Sequence, residues 1–310
     1  MNVVALAGGV GGAKLVSGLA QVLEPRALKV VVNTGDDFWH LGLRICPDLD
    51  TVCYTLADLA NKETGWGRAD ETWNVLAELK YFSHSDWFQL GDRDIAMHLF
   101  RTGMLAEAKT LTETTNEICR IWGISTKVLP MTDDPVATTV ITEGGELGFQ
   151  EYFVKYRWQP VVKGFRFDGV ETARPTNLVR TAIEQADCVI LAPSNPWVSI
   201  GPILALQGLK DLLAKKLVVA VSPIIGGQAV KGPAAKMFTE MGITPSALAV
   251  ASQYKGVIQA FVLDHVDAGQ VKEIETLGIQ TYTTDIMMRD VTDRQRLAQE
   301  LLEMVDKARL

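Results

Sequence analysis

Short runs of β-branched and aliphatic residues recur along this chain, and each ends in Gly, Ser, Asn or Asp before a helical stretch begins. Several of the runs are apolar on both faces. Such a strand must be covered on both sides, which places it in a parallel sheet with helices on each face. The expected strands are Val3–Ala7, Lys29–Thr34, Lys127–Met131, Cys188–Ala192, Leu217–Ser222, Leu248–Ala251 and Ala260–Leu263. Amphipathic segments such as Gly12–Leu23, Thr176–Ala186 and Val291–Lys307 alternate with them. The fold class that follows is α/β: a doubly wound, mostly parallel, Rossmann-like sheet. Two stretches depart from the alternation. Residues 50–126 are helical in pattern and are expected to form a cap or lobe inserted between strands. Residues 137–156 read as two alternating strands joined at Glu143-Gly144-Gly145-Glu146, a β-hairpin. With 310 residues and no low-complexity linker, the chain is expected to be a single α/β domain, 1–310, carrying both insertions.

A formal net charge of −7 argues against nucleic acid as a partner, because a polyanion needs a basic face. It leaves room for one small phosphorylated ligand. No apolar run approaches the roughly 20 residues that cross a bilayer, so no membrane partner is expected. Met1–Ala7 enters a strand without a basic segment before it, and no signal peptide is expected. Cys46, Cys53, Cys119 and Cys188 have neither zinc spacing nor the density of a disulfide framework. The expected location is the cytoplasm, with the thiols reduced.

Four segments could carry chemistry. The first is Ala7-Gly8-Gly9-Val10-Gly11-Gly12-Ala13-Lys14, directly after the first strand and opening a helix. Its glycines allow close backbone approach, the helix start offers free N–H groups to an anion, and Lys14 adds charge. It matches neither GxGxxG nor a P-loop, and a tight turn without ligand is the bland alternative. The second, Asn33-Thr34-Gly35-Asp36-Asp37-Phe38, could bind a ribose, hold Mg²⁺ or simply cap a helix. The third is Leu43–Val52, where Asp48 or Asp50 could cap a helix expected to begin near Thr51. Asp36, Asp37, Asp48 and Asp50 fall within fifteen positions, a crowding that calls for a cation. The fourth, Trp87–Asp94, sets aromatics beside Gln89, a combination suited to a flat heterocycle. Arg93, His98 and Arg101 could be catalytic there, but Asp94, His98 and Arg101 share one helical face, so a surface ion-pair ladder is expected of them at least equally. Two late loops, Ala192–Pro196 and Val221–Gly227, each follow a buried strand, where ligands of open α/β sheets gather. Lys231 and Lys236 follow and could meet phosphate. The last stretch, Asp290–Leu310, is amphipathic and shows no chemistry.

Taken in order, the blocks Ala7–Lys14, Val32–Asp37, Pro47–Val52, Gln89–Asp94, Leu129–Asp134, Ser194–Pro196, Ser199–Leu204 and Ser222–Lys236 resemble the 2-phospho-L-lactate transferase family of coenzyme F(420) biosynthesis. The resemblance implies a Mg²⁺-dependent phosphotransferase for substituted phosphate groups. Its donor would be a guanosine diphosphate-linked three-carbon acid: phospholactate, phosphoenolpyruvate or phosphoglycerate. Its acceptor would be the ribityl hydroxyl of 7,8-didemethyl-8-hydroxy-5-deazariboflavin (Fo), with GMP leaving. It further implies a deazaflavin site at Asp50 and Gln89, where some relatives carry Lys in place of Gln89. Gly8, Gly9, Gly11, Gly12, Lys14, Ser194, Asn195, Ser222 and Gly226 would cradle the nucleotide. Asp36, Asp37, Asp48 and Asp50 would supply the metal ligands, and Asp48 and Asp50 the catalytic carboxylates, with a homodimer as the assembly. The alternative from another class is a nucleotide-sugar-binding regulator of the related gluconeogenesis-factor-like family, without transferase activity. A nicotinamide dehydrogenase fits less well, because Lys14 stands where the third fingerprint glycine belongs.

Overall fold

The computed structural model describes residues 1–82 and 87–308, so positions 83–86 of the expected lobe and the last two of the C-terminal stretch lie outside it. Seven parallel strands make the central sheet: β1 (Val3–Ala7), β2 (Leu28–Val32), β3 (Lys127–Pro130), β4 (Cys188–Leu191), β5 (Leu217–Val221), β6 (Ala260–Asp264) and β7 (Gln280–Thr284). Their order is β7-β6-β5-β4-β1-β2-β3, and each neighbouring pair runs parallel. Alternate residues of β1 feed opposite cores. Val4 and Leu6 join the cluster with Val179 and Ile183, while Val3 and Ala5 join the one with Leu15 and Leu297. This two-sided burial is why the strands lack a polar face.

Five helices shape the site: α1 (Gly9–Val22), α2 (Pro47–Leu56), α3 (Asp92–Ala106), α4 (Leu111–Ile121) and α5 (Val291–Ala308). Pro47 opens α2 at its first turn, where its missing N–H costs nothing, and Asp48 and Asp50 complement the positive end of the helix. The α4 start is closed by a reciprocal capping box between Thr110 and Glu113. α2, a short helix at Asn74–Tyr81, α3 and α4 make up the lobe between β2 and β3. A two-stranded ribbon, Phe38–His40 with Leu43–Ile45, leads from β2 into it.

Three expectations need correction. Leu248–Ala251 is helical, within Ala247–Gln253, and Ser246 caps that helix by accepting from the Ala249 N–H. A four-residue apolar run does not separate strand from buried helix by periodicity. The hairpin strands are Ala137–Thr142 and Gly145–Gly148, but Glu151–Lys155 is a turn of π-helix, and a third strand, Val162–Asp168, pairs with the first. The strand β7 was not expected at all. No helix among the described residues is long and apolar enough to cross a membrane.

Candidate active site

The chain leaves β1 for β2 and β3 on one side of the sheet and returns to β4 through β7 on the other, so β1 and β4 are the neighbours whose following loops part. Open α/β sheets hold their ligands at such a point, outside the carboxyl ends of the strands. Here the Gly8–Gly12 turn meets the loop after β4. Ser194 Oγ donates to the Gly8 carbonyl at 2.8 Å, and the Gly8 N–H lies 3.4 Å from the same hydroxyl. Gly9 opens α1 at φ +63, a conformation that glycine adopts without strain.

Gly11 has another purpose. A Cβ placed on it would stand 2.3 Å from the Pro193 carbonyl oxygen, so this glycine lets α1 press against the β4 loop. Exposed helical glycine normally gains from replacement by alanine. Gly11→Ala is instead expected to lower stability by about 1–3 kcal/mol, as overpacked sites do. Thermal melting checks this, and a melting temperature at or above that of the parent would contradict it.

The four carboxylates separate into two pairs. Asp36 and Asp48 lie buried near each other beside the glycine turn. Asp48 Oδ1 accepts the Gly9 N–H at 2.7 Å, and Asp48 Oδ2 accepts from Asn33 Nδ2 at 2.9 Å, so it covers the α1 N-terminus. Burial pushes the Asp48 carboxyl up to about 6, against the hydrogen bonds from Asn33 and Gly9. Burial, then the charge of Asp48, drives the Asp36 carboxyl well above the usual range. Asp36 Oδ1 is buried with no hydrogen-bond partner among the described residues.

Asp37 and Asp50 are each met by an arginine. Arg44 Nη2 lies 3.4 Å from Asp37 Oδ2, although burial still pushes Asp37 up to about 7. Arg101 grips Asp50 with both ends of its guanidinium. The expected surface ladder is therefore wrong. His98 and Arg101 are 1% and 2% exposed, because their face of α3 packs on α2 rather than facing water. Arg101 supplies the neutralisation expected of a cation at Asp50 and Arg44 only part of it at Asp37, whose Oδ1 is buried without a hydrogen-bond partner, while Asp36 and Asp48 have no ion pair among the described residues.

Among the described residues, no three His, Cys, Asp or Glu side chains are gathered to hold a metal. Two carboxylates fit a magnesium ion nonetheless. Mg²⁺ is commonly held by one or two carboxylates, with water and substrate phosphates completing its shell. The orphaned oxygen of Asp36 suits that donor set.

A cationic group lies beside α1. Lys14 Nζ donates to the Met288 carbonyl at 2.9 Å rather than reaching into the glycine turn. Burial, then the charges of Arg294 and Lys231, pull its ammonium below the usual range. Lys231 donates to the Thr64 carbonyl from the lobe. Of the late-loop residues, Asn195 Oδ1 accepts from the Trp197 and Val198 N–H groups, and Ser222 closes its own turn on Ile224. The Gly226 N–H is taken by Asp267. The structure thus brings Gly8, Gly9, Gly11, Gly12, Ser194, Asp36 and Asp48 together and sets Asn195, Ser222 and Gly226 in turns with internal partners. Beside the ribbon, Phe38, His40, Trp87 and Phe88 form a ring cluster with centroids 4.9–6.1 Å apart, and Gln89 follows it, exposed. Sequence reasoning missed Asn33 as the residue orienting Asp48, and Arg294 as the third cation. Asparagine at a strand end was visible; nothing in the C-terminal helix marked Arg294.

The buried acids carry a pH signature. Carboxyls of an unfolded chain titrate near 4, whereas Asp48 and Asp37 are raised to about 6 and about 7 in the fold. The folded state then holds protons that the unfolded chain releases. Stability from these groups is complete below their unfolded values and declines as pH rises through the folded ones. The ligand-free melting temperature is expected to fall on the order of 5 °C between pH 5 and 8. Mg²⁺ with GDP should flatten that slope by favouring the ionised pair. A slope untouched by both would contradict the assignment.

Fold and site are those of a doubly wound α/β protein with a buried group of carboxylates beside its switch point. The family model for 2-phospho-L-lactate transferase CofD matches residues 3–308, and the chain belongs to that family of transferases. It is 43% identical to the phosphoenolpyruvate transferase of Streptomyces griseus, over all of both chains. It is 45% identical to that of Thermobifida fusca, over 92% of this chain and 93% of the relative. The 2-phospho-L-lactate transferase of Methanosarcina mazei is 38% identical over 96% of this chain and 98% of its own length. A solved structure of a UPF0052-family protein from Bacillus halodurans superposes with a TM-score of 0.63 over 97% of this chain and 98% of its own. At 17% identity, that likeness speaks for the fold alone.

Proposed function

We propose that this chain moves a phospho-acyl group from a guanosine diphosphate-linked three-carbon acid to the ribityl hydroxyl of Fo, releasing GMP, in coenzyme F(420) biosynthesis. Within the family, the observation that supports it most is the uncompensated Asp36–Asp48 pair beside the α1 N-terminus. Phosphoryl transfer asks little covalent work of a protein and much charge placement. Asp36 and Asp48 would hold Mg²⁺, which neutralises charge on the donor phosphates when bound. The remaining work falls to the chain. The α1 N–H groups beyond Gly9, whose own N–H goes to Asp48, draw the anionic donor to the glycine turn, helped by Lys14, Lys231 and Arg294. The cluster of Phe38, His40, Trp87 and Phe88 offers a flat heterocycle its wall, with Gln89 at the edge. Asp50 keeps lone pairs beyond those given to Arg101 and orients the acceptor hydroxyl.

Relatives named phosphoenolpyruvate transferase are 40–45% identical, against 37–38% for those named 2-phospho-L-lactate transferase. That difference supports phosphoenolpyruvate as the donor's acid. On this reading the protein works in the cytoplasm as a homodimer, the commonest closed assembly. Mass spectrometry of reactions containing Fo, Mg²⁺ and each of the three donors tests the proposal. The expected product is Fo enlarged by the phosphoenolpyruvate group. Absence of any deazaflavin adduct from all three donors would overturn it.

A further inference from the structure

Within the lobe, one guanidinium joins α3 to the first turn of α2. Arg101 Nη1 lies 3.2 Å from Asp50 Oδ2, and Nη2 bonds Asp50 Oδ1. Nη1 also reaches the Arg44 carbonyl at 3.4 Å and His98 Nδ1 at 3.2 Å. His98 Nε2 stands 3.5 Å from Asp94 Oδ1, which accepts from the Tyr54 hydroxyl. The contacts run from Asp50 through Arg101, His98 and Asp94 to Tyr54, one helical turn beyond Asp50 on α2. The circuit closes on the helix where it began.

Stability does not account for such a ring. A buried ion pair exchanged for apolar residues of like volume is often neutral or stabilising. What a bidentate fork gives is direction. Asp48 and Asp50 are two residues apart, about 200° around a helix axis, so one turns to Gly9 and the other to α3. Gripping Asp50 therefore sets the rotation at which α2 presents Asp48 to the crevice.

We propose that Arg101 is the positioning residue of the transfer: acting from α3, it fixes Asp50 toward the acceptor and, through the α2 turn, Asp48 toward the donor. The proposal rests on the transferase reading and on Asp50 as an acceptor-side group.

Arg101→Lys keeps the charge and loses the fork. With donor and Fo varied separately, kcat is expected to fall about a hundredfold, while KM for the donor and the melting temperature stay close to those of the parent. The double variant Asp50→Asn/Arg101→Met should be no slower than Asp50→Asn alone, because the two residues act as a unit. It also leaves neither member of this ion pair buried without the other, so it carries the test if Arg101→Met alone does not fold. Parental kcat in Arg101→Lys would overturn the proposal. So would a double variant whose loss is the product of the single losses, or a loss that tracks melting temperature and donor KM together, the mark of a merely structural pair. If the parent protein forms no deazaflavin adduct, the transferase reading falls and this proposal falls with it. If the parent turns over and Arg101→Lys matches it, only the positioning role fails.

Discussion

Asp36→Asn is expected to slow transfer by roughly a hundredfold to a thousandfold, several kcal/mol of lost charge stabilisation, and yet to raise the melting temperature of the ligand-free protein at pH 8. Both effects come from one carboxylate. Asp36 is buried, its charge is opposed by burial and by Asp48, and its Oδ1 has no partner among the described residues. Removing the charge relieves the folded state and takes a ligand from the crevice. Stability and activity moving in opposite directions is the behaviour of a strained functional group. The gain should be smaller at pH 5 than at pH 8, because burial and the charge of Asp48 raise the parent carboxyl and so favour its neutral form as pH falls. Melting curves at both pH values and single-turnover rates measure it. A variant less stable than the parent at pH 8, with its rate intact, would make Asp36 an ordinary structural aspartate.

Asp50→Asn is expected to slow transfer by roughly a thousandfold, a rate that single-turnover kinetics still reads, and also to destabilise the protein by about 3–5 kcal/mol, the cost of breaking a buried pair from one side. Here the two effects share a sign. Arg101 is left buried without the carboxylate that met both ends of its fork, and its remaining contacts are His98 and the Arg44 carbonyl. Denaturant titration at pH 7 reads the loss. Unchanged stability would mean that Arg101 finds another anion, and unchanged turnover would remove Asp50 from the acceptor site. Asp36 and Asp50, fifteen positions apart by inclusive count and similar on paper, should thus respond to the same substitution in opposite ways.

What could be read from the chain follows from what each physical signal needs. β1, β4 and β5 declare themselves because strands covered on both faces have no polar side. β7, Gln-Thr-Tyr-Thr-Thr, sits at the sheet edge half exposed, so its residues carry no apolar signature. The glycine turn was legible as a close approach, although Gly11 meets Pro193 backbone, a contact that no local pattern announces. The crowding of Asp36, Asp37, Asp48 and Asp50 was equally plain. Its division into two pairs was not, because one neutralising arginine, Arg101, arrives from a helix about fifty positions downstream. Helical spacing placed Asp94, His98 and Arg101 on one face, yet only packing decides whether that face meets water or α2. Lys14 likewise read as a phosphate ligand from its position, while its ammonium bonds the Met288 carbonyl contributed by the far end of the chain.

The central claim is transfer, and the stoichiometry of GMP release tests it most directly. With the phosphoenolpyruvate-linked donor, Mg²⁺ and limiting Fo, the protein is expected to release one GMP for each Fo converted and to stop when Fo is exhausted. GMP released without Fo would make the chain a hydrolase of the donor. Donor bound at the crevice with neither GMP nor deazaflavin adduct formed would make it a nucleotide-binding protein, and the account given for Asp36, Asp48 and Asp50 would be wrong.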